Sequence, residues 1–207
     1  MENPTVFLIE DDPSVRNLVE SLLTSAGLPV ESFGNPATFL RCHDVERPGC
    51  AVVDICLPGM TGLELQTTLA DPQNGRPHIF LSGHADVAMA VQALSCGALG
   101  FLEKPFRAHE LLQLVQLALE RDRQQREARR KRRDISRRIE SLTPREREVL
   151  ERVVQGDQNK TIAALLNISQ RTVEIHRSRV MEKLEAESVA GLVQLFMIHD
   201  GTYNPQC

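Results

Sequence analysis

Short apolar runs alternate with helically spaced apolar positions along residues 1–105. The runs predict five short strands, because strands buried on both faces are continuous apolar stretches. They cover residues 6–9, 29–32, 50–54, 77–81 and 100–102. Apolar residues at helical spacing follow the first strand at Val15, Leu18, Val19, Leu22 and Leu23. Val87, Val91 and Leu94 have the same spacing before the last strand. These β-then-α units predict an α/β domain with a doubly wound, five-stranded parallel sheet.

A fifth helix begins near Arg107 and continues beyond the apolar part of its sequence. Its broad apolar face consists of Leu111, Leu112, Leu114, Val115, Leu117, Ala118 and Leu119. Residues 121–138 are almost purely charged and contain no Pro or Gly. A thin apolar seam is formed by Ala128, Ile135, Ile139 and Leu142, which lie 7, 4 and 3 residues apart. We interpret this stretch as a long helical linker that forms a weak coiled coil in a dimer. A solvated helix or partly frayed tether is the alternative.

The pattern beyond residue 141 is entirely helical. Thr143, Pro144 and Glu146 have the order of an N-cap, a first-turn proline and a capping-box glutamate. Further helices are predicted over residues 159–166, 170–184 and 188–198. The short turn between the first two predicts a small all-α helix-turn-helix domain. Its predicted core is Ile162, Ala163, Leu165, Leu166, Ile168, Val173, Val180, Met181 and Leu184. The predicted domains are therefore residues 1–120, a linker over 121–140, and residues 141–207.

Composition narrows the class of protein. No apolar run approaches the roughly 18 residues of a membrane span, and no signal peptide is evident. The five cysteines are an odd number without CxxC spacing, which favours a reducing cytoplasm over a disulfide framework or a zinc site. Residues 1–120 carry 6 Lys+Arg against 15 Asp+Glu, whereas residues 121–207 carry 18 against 13. This asymmetry indicates an acidic domain joined to a half that contacts a polyanion.

Carboxylates follow two of the predicted strands. Asp54 ends the third strand, and Glu10, Asp11 and Asp12 directly follow the first. Alone, Asp54 is more simply interpreted as a residue that caps a loop. Because parallel strands end at the same edge of a sheet, we expect these carboxylates to converge. Crowded carboxylates repel one another unless a cation is present, and a site rich in oxygen suits Mg²⁺.

Two further polar residues follow the last two strands. Ser82 supplies a hydroxyl, and Lys104 supplies an ammonium group. Lys104 also precedes Pro105, and we expect the bond between them to be cis. Each alone has a structural interpretation, Ser82 as a helix cap and Lys104 as a surface lysine. Together with Asp54 and a divalent cation they suit phosphoryl chemistry, in which the carboxylate attacks and the cations neutralise charge.

Three segments resemble the receiver domain of two-component response regulators: residues 9–12 (IEDD), 54–62 (DICLPGMTG) and 97–106 (GALGFLEKPF). The resemblance covers about residues 4–120. It implies that Asp54 accepts a phosphoryl group from a sensor histidine kinase. The implied Mg²⁺ ligands are Asp11, Asp54 and the backbone carbonyl of Cys56, with Glu10 acting through water. Ser82 and Lys104 would bind phosphoryl oxygens, and Phe101 holds the position of the aromatic switch.

Two alternatives for this half belong to other classes. An aspartate-nucleophile phosphatase uses a similar set, but by resemblance it has a second aspartate two residues after the first, where this chain has Cys56. A degenerate receiver that serves only for dimerisation would lack part of the set, whereas Asp11, Asp54, Ser82 and Lys104 are all present.

The C-terminal half resembles the four-helix DNA-binding domain of the LuxR/FixJ class over about residues 140–200. The segments that carry this resemblance are 142–150 (LTPREREVL), 159–163 (NKTIA) and 171–177 (RTVEIHR). Without this resemblance, the charged residues of the second helix would be explained equally well as a face that is only exposed to solvent. By resemblance, the phosphate contacts are Lys160, Thr172, His176 and Lys183. The implied base contacts are Glu174, Ile175 and Ser178, with Arg177 and Arg179 nearby. Glu174 is a candidate specificity residue, since a carboxylate accepts from cytosine N4.

Both resemblances together imply a cytoplasmic transcription factor that is not an enzyme beyond its own phosphorylation and dephosphorylation. Phosphorylation at Asp54 would promote a homodimer through the fourth helix, fifth strand and fifth helix. The dimer would place two recognition helices on half-sites in double-stranded DNA. RNA polymerase is the further expected partner. In the last helix, the side not packed on the domain would be a second dimer surface.

Overall fold

The computed structural model describes residues 3–69, 75–83 and 87–200. It divides into two compact units, with the boundary between Arg126 and Glu127. The three-part division predicted from the sequence stays a prediction. The predicted helix positions 70 and 86, and residues 201–207, lie outside the described part of the chain.

The N-terminal unit is an α/β domain in which strands and helices alternate. Its elements are β1 (Thr5–Ile9), α1 (Pro13–Ser25), β2 (Val30–Phe33), α2 (Pro36–Cys42), β3 (Gly49–Asp54), α3 (Gly62–Leu69), β4 (His78–Ser82), α4 (Val87–Ser95), β5 (Gly100–Glu103) and α5 (Ala108–Glu140). All strand pairs are parallel, and their order is β2-β1-β3-β4-β5. The predicted doubly wound, five-stranded parallel sheet is therefore confirmed. Helix α5 continues past Arg126 into the second unit.

The central strands of the sheet are mostly apolar, and the sheet is covered on both faces. Strands β1 and β3 are buried at every position, and successive side chains point to opposite faces. On one face Phe7 packs with Phe39 and Leu65, and on the other Leu8 packs with Leu111. These two layers hold the strand ends in fixed positions.

The buried stripes of the helices are narrower than their apolar spacing suggests. Leu18 of α1, Val91 and Leu94 of α4, and Leu117 of α5 are all exposed. Helical spacing identifies the side of a helix that is apolar, but it does not determine how much of that side a neighbour covers.

The C-terminal unit consists of the last part of α5 and the helices α6 (Pro144–Val154), α7 (Asn159–Leu166), α8 (Gln170–Lys183) and α9 (Val189–Asp200). The predicted capping box is confirmed, because Thr143 and Glu146 exchange side-chain to backbone hydrogen bonds. Asn167 adopts a left-handed conformation after α7, and Ser169 caps α8, which makes the predicted helix-turn-helix. Within the described residues, no helix combines the length and apolar character needed to cross a membrane.

The core of this unit corrects two predictions. Leu165 was expected inside, but it is 53% exposed, because it lies on the outer side of α7. Ile135, Ile139 and Leu142 are buried among residues of α6, α8 and α9. The coiled-coil seam predicted for the linker is therefore wrong over these three residues, since their own chain covers them.

Candidate functional site

The register of the sheet brings three carboxylates to one edge. Ile9 pairs with Val53 in the parallel ladder between β1 and β3, so the next residues, Glu10 and Asp54, are neighbours. Oxygens of Glu10, Asp11 and Asp54 lie within 4.8 Å of one another. Glu10 and Asp54 are buried, whereas Asp11 is exposed. The convergence predicted from the sequence is thus observed for these three residues.

Lys104 lies between two of the carboxylates. Its Nζ donates to Oε2 of Glu10 and to Oδ2 of Asp54, at 2.7 Å each. The position follows from the sheet, because the backbone N–H of Lys104 donates to the carbonyl of Ser82 at 2.7 Å. The Lys104–Pro105 peptide bond is cis, as predicted. The lysine therefore neutralises part of a crowded negative site.

Burial dominates the electrostatics of this pocket. The pKa of Glu10 is raised from 4.5 to about 7, chiefly because burial disfavours its charge, with the charge of Asp54 adding to the effect and the hydrogen bond from Lys104 opposing it. Burial also tends to lower the pKa of Lys104, but its hydrogen bonds and charge pairing with Asp54 and Glu10 raise it overall. The lysine thus stays charged, while Glu10 is harder to ionise than a glutamate in water.

The donor set fits a divalent cation. Oε1 of Glu10 is buried and has no hydrogen-bond partner among the described residues. Oδ1 of Asp54 accepts from the backbone N–H of Cys56 at 3.0 Å, and the Cys56 residue itself is exposed. Oxygen ligands that are partly open to water suit Mg²⁺. The predicted roles of Glu10 through water and of the Cys56 carbonyl stay predictions.

Asp12 has a structural role that the sequence left open. Its Oδ1 accepts from the backbone N–H groups of Ser14 at 2.7 Å and Val15 at 3.4 Å, so it is the N-cap of α1. The same hydrogen bonds lower the pKa of Asp12. Asp12 therefore fixes the start of the helix that follows the acidic turn.

Ser82 lies on β4, the strand next to β3, and Phe101 lies on β5, the strand beyond it. Ser82 is fully buried at the end of β4, opposite Glu103 in the ladder to β5. Phe101 is half-buried and packs against the core layer that contains Phe80. Both lie on strands adjacent to the pocket, and their roles in switching stay predictions.

The second candidate site is the outer side of α8. Glu174, Ile175, Ser178 and Arg179 are exposed, and so is Lys160 of α7. The other predicted contacts, Thr172, His176 and Arg177, are half-buried, while Val173 is fully buried, as predicted.

Lys183 differs from the other predicted DNA contacts. Its Nζ donates to Oε2 of Glu146 at 2.7 Å and to the carbonyl of Ser141 at 3.3 Å. The hydrogen bond from Lys183 lowers the pKa of Glu146 from 4.5 to about 2. The ammonium group is thus occupied within the domain, and the predicted phosphate contact stays untested.

Comparison with known proteins assigns a family to each half of the chain. The family described as "Response regulator receiver domain" matches residues 6–116, and the family described as "Bacterial regulatory proteins, luxR family" matches residues 140–196. Nodulation protein W of Bradyrhizobium diazoefficiens is 43% identical over 190 residues, which are 92% of this chain and 84% of that protein. The transcriptional regulatory protein FixJ of the same organism is 38% identical over 192 residues, covering 93% and 94%. The solved structure of response regulator StyR has a TM-score of 0.83 and 40% identity, covering 98% of this chain and 100% of that chain.

The chain belongs to the two-component response regulators with a LuxR-type DNA-binding domain. This response regulator is therefore a transcription factor rather than a typical enzyme. Its N-terminal unit contains the receiver domain, and its C-terminal unit contains the DNA-binding domain.

Two residues that shape the pocket of this response regulator were missed by the sequence analysis. Arg16 donates through Nη1 to the carbonyls of Glu10 at 2.7 Å and Asp11 at 3.2 Å, and so holds the acidic turn. Gly62 begins α3 where a Cβ would lie 2.5 Å from the carbonyl oxygen of Asp54. Its place eight residues after Asp54, next to a turn-rich segment, was the available signal, since a glycine permits close backbone approach.

Proposed function

We propose that Asp54 of this response regulator is the acceptor of a phosphoryl group from a sensor histidine kinase. The observation that carries the proposal is the position of its carboxylate, whose Oδ2 lies 2.7 Å from Lys104 Nζ, within the cluster formed with Glu10 and Asp11. A carboxylate oxygen of Asp54 would form the new bond to phosphorus as the bond between phosphorus and the donor's nitrogen breaks. Lys104 would offset the charge that develops on the transferring oxygens.

Asp11, Asp54 and the backbone carbonyl of Cys56 would hold Mg²⁺ in this proposal, with Glu10 acting through water. Oε1 of Glu10, which is buried and has no hydrogen-bond partner in the described part of the chain, supports it. When bound, the ion supplies positive charge beside the phosphoryl oxygens and the attacking carboxylate.

Ser82 and Lys104 would bind oxygens of the phosphoryl group, and Phe101 would change its packing in response. The buried hydroxyl of Ser82 at the end of the adjacent strand supports this role, because a phosphoryl group adds acceptor oxygens that a hydroxyl can bind. The protein would catalyse only its own phosphorylation and dephosphorylation.

Phosphorylation would promote a homodimer and sequence-specific binding to double-stranded DNA, and the bound dimer would contact RNA polymerase in the cytoplasm. The exposed position of Lys160 and of the outer side of α8 supports a DNA interface, because cations and hydroxyls suit phosphates and base edges. The proposed DNA contacts are Lys160, Thr172, Glu174, Ile175, His176, Arg177, Ser178, Arg179 and Lys183. The proposed division places the receiver in residues 1–120, the linker in 121–140 and the DNA-binding domain in 141–207.

The test is phosphorylation by acetyl phosphate with Mg²⁺, followed by intact-mass measurement. We expect one phosphoryl adduct on the wild type and none on Asp54→Asn. Asp12→Asn is the matched control, because Asp12 is a neighbouring carboxylate that caps α1 and should leave the adduct in place. An adduct of equal yield on Asp54→Asn and the wild type would refute the proposal.

A further inference from the structure

The first part of the linker helix contains a buried carboxylate that the phosphoryl pocket does not use. Asp122 of α5 is only 2% exposed, although the surrounding sequence is almost purely charged. Its Oδ2 accepts from the backbone N–H of Gly49 at 2.8 Å and from Nε of Arg126 at 2.7 Å. A buried carboxylate is costly unless paired and hydrogen-bonded. These two donors offset that cost at Oδ2, whereas Oδ1 is buried without a hydrogen-bond partner among the described residues.

Arg126 extends this contact to the turn before β3. Its Nη1 donates to the carbonyl of Glu46 at 2.7 Å, and its Nη2 donates to that of Val45 at 2.8 Å and to that of Arg47. One guanidinium group therefore binds three successive carbonyls as well as Asp122, which uses the fork geometry that only arginine offers. Asp122 and Arg126 together form what we name the Asp122–Arg126 clamp.

The receiver-domain family matches residues 6–116 of this chain. Asp122 and Arg126, which form the clamp, lie beyond that range. Arg126 is also the last residue of the N-terminal unit. A few residues further along the same helix, Ile135 and Ile139 are buried in the core of the C-terminal unit. The clamp therefore attaches α5 to the receiver side directly before the boundary.

Strand β3 joins the clamp to the phosphoryl pocket, because Gly49 begins the strand that Asp54 ends. The start of this strand has no spare room. A Cβ on Gly49 would lie 1.9 Å from the carbonyl oxygen of Thr5 in β1. The hydrogen bond from Gly49 to Asp122 thus fixes the helix to a tightly packed part of the sheet.

We propose that the Asp122–Arg126 clamp fixes the start of the linker helix on the receiver domain, and that the gain in DNA affinity on phosphorylation depends on it. This inference rests on the proposed function, since it requires phosphorylation of Asp54 to increase DNA binding. A helix held at its exit from the receiver passes a change there to the next domain. Without the clamp, the part of α5 around residues 122–126 would be released from the receiver and would become a more flexible connection. A flexible connection couples two domains less well than a fixed one.

The test compares Arg126→Ala with Arg123→Ala in the full chain. Arg123 lies on the same helix and pairs with Glu120 at 2.8 Å, but both side chains are largely exposed, so the control removes an equal charge without touching the clamp. The DNA probe is a duplex selected from random-sequence DNA by phosphorylated wild-type protein. The affinity of each protein variant for this duplex is measured before and after treatment with acetyl phosphate. The fraction of protein that carries the phosphoryl group is read from the intact mass.

We expect Arg126→Ala to take up the phosphoryl group normally and to keep its unphosphorylated DNA affinity. Its gain in affinity on phosphorylation should fall by about fivefold or more, the lower end of typical allosteric coupling. Hydrogen exchange should show a loss of protection at Gly49 and over residues 119–126. Arg123→Ala should behave as the wild type in all four measurements.

An equal gain in Arg126→Ala and Arg123→Ala would overturn the inference and leave the proposed function intact. A wild type that gains no affinity would instead refute the proposed function, and this inference with it. If Arg126→Ala loses phosphoryl uptake through misfolding, Arg126→Lys replaces it. Lysine keeps the charge but lacks the planar fork, so Arg126→Lys should also lose the gain, and a full gain in this variant would overturn the inference.

Discussion

Nζ of Lys183 lies 2.7 Å from Oε2 of Glu146, across 37 residues of sequence. Glu146 lies in the first turn of α6 and is 2% exposed, whereas Lys183 ends α8. The same lysine donates to the carbonyl of Ser141 at 3.3 Å. The pair therefore fastens the end of the proposed recognition helix to the segment that begins the DNA-binding domain.

Lys183→Ala should destabilise this domain. The buried carboxylate of Glu146 would lose its cation, which costs about 1–3 kcal/mol when a hydrogen-bonded charge is left without its partner. Hydrogen exchange of the α6 and α8 amides in the full chain measures this local free energy of opening. Lys160→Ala is the control, because Lys160 is exposed and should leave protection unchanged. Unchanged protection in Lys183→Ala, with weaker DNA binding, would show that Lys183 acts only as a phosphate contact.

The same ion pair should make the stability of the domain depend on acid pH. The pKa of Glu146 falls from 4.5 to about 2 in the folded protein, with the hydrogen bond from Lys183 as the largest cause. Since the unfolded chain binds this proton more readily, the stabilisation is complete above pH 4.5 and is lost as pH falls towards 2. The difference in stability between the wild type and Glu146→Gln should therefore be largest near neutral pH and shrink below pH 4.5. A difference that does not change with pH would contradict this.

The pocket was predictable from the sequence because it depends on chain order and strand polarity. Glu10 follows β1, Asp54 ends β3 and Lys104 follows β5, and parallel strands end at one edge. Arg16 and Gly62 were not predicted. Their roles depend on the path of the backbone. Arg16 donates to the backbone carbonyl of Glu10, and Gly62 packs against the backbone carbonyl of Asp54.

Long-range partners account for most of the remaining errors. The spacing of Ile135 and Ile139 indicated an apolar seam, but sequence periodicity does not identify the surface that covers it. That surface is the core of the DNA-binding domain. The role of Asp122 in the charged stretch of residues 121–138 was not predicted, because Gly49, which donates to it, lies 73 residues away. Spacing along one helix contains no information about such contacts.

Gly62→Ala should disturb the pocket without changing any charged group. The new Cβ would lie 2.5 Å from the carbonyl oxygen of Asp54 and 2.9 Å from Cα of Ile55, and backbone on both sides leaves little freedom to relax. We expect a loss of about 1–3 kcal/mol in stability, typical of overpacking, and slower uptake of the phosphoryl group. Gly191→Ala in α9 is the control, since its Cβ would meet only Ser188 Oγ, at an ordinary 3.4 Å. Thermal unfolding and intact mass follow both effects, and equal behaviour of the two variants would contradict the prediction.

Glu10→Gln should weaken the response of phosphorylation to Mg²⁺. The substitution removes a carboxylate whose Oε1 is buried and unpartnered among the described residues, and supporting groups around a metal typically change its affinity by about 10- to 100-fold. The concentration of Mg²⁺ that gives half-maximal phosphorylation by acetyl phosphate should rise by a similar factor. Asp12→Asn should leave this concentration unchanged, because Asp12 is committed to capping α1. An unchanged concentration for Glu10→Gln would exclude Glu10 from the site.

Lys160→Ala should weaken DNA binding without changing sequence preference. Lys160 lies near the start of α7 and is exposed, and a lysine that neutralises a phosphate contributes equally to all sequences. Affinity for the selected duplex and for a scrambled duplex should fall by the same factor. The slope of log affinity against log salt concentration should decrease by about one unit. Glu174→Ala supplies the contrast, because a residue that contacts a base edge should affect the selected duplex far more than the scrambled one. Loss confined to the selected duplex in Lys160→Ala would show that Lys160 contacts bases instead of phosphates.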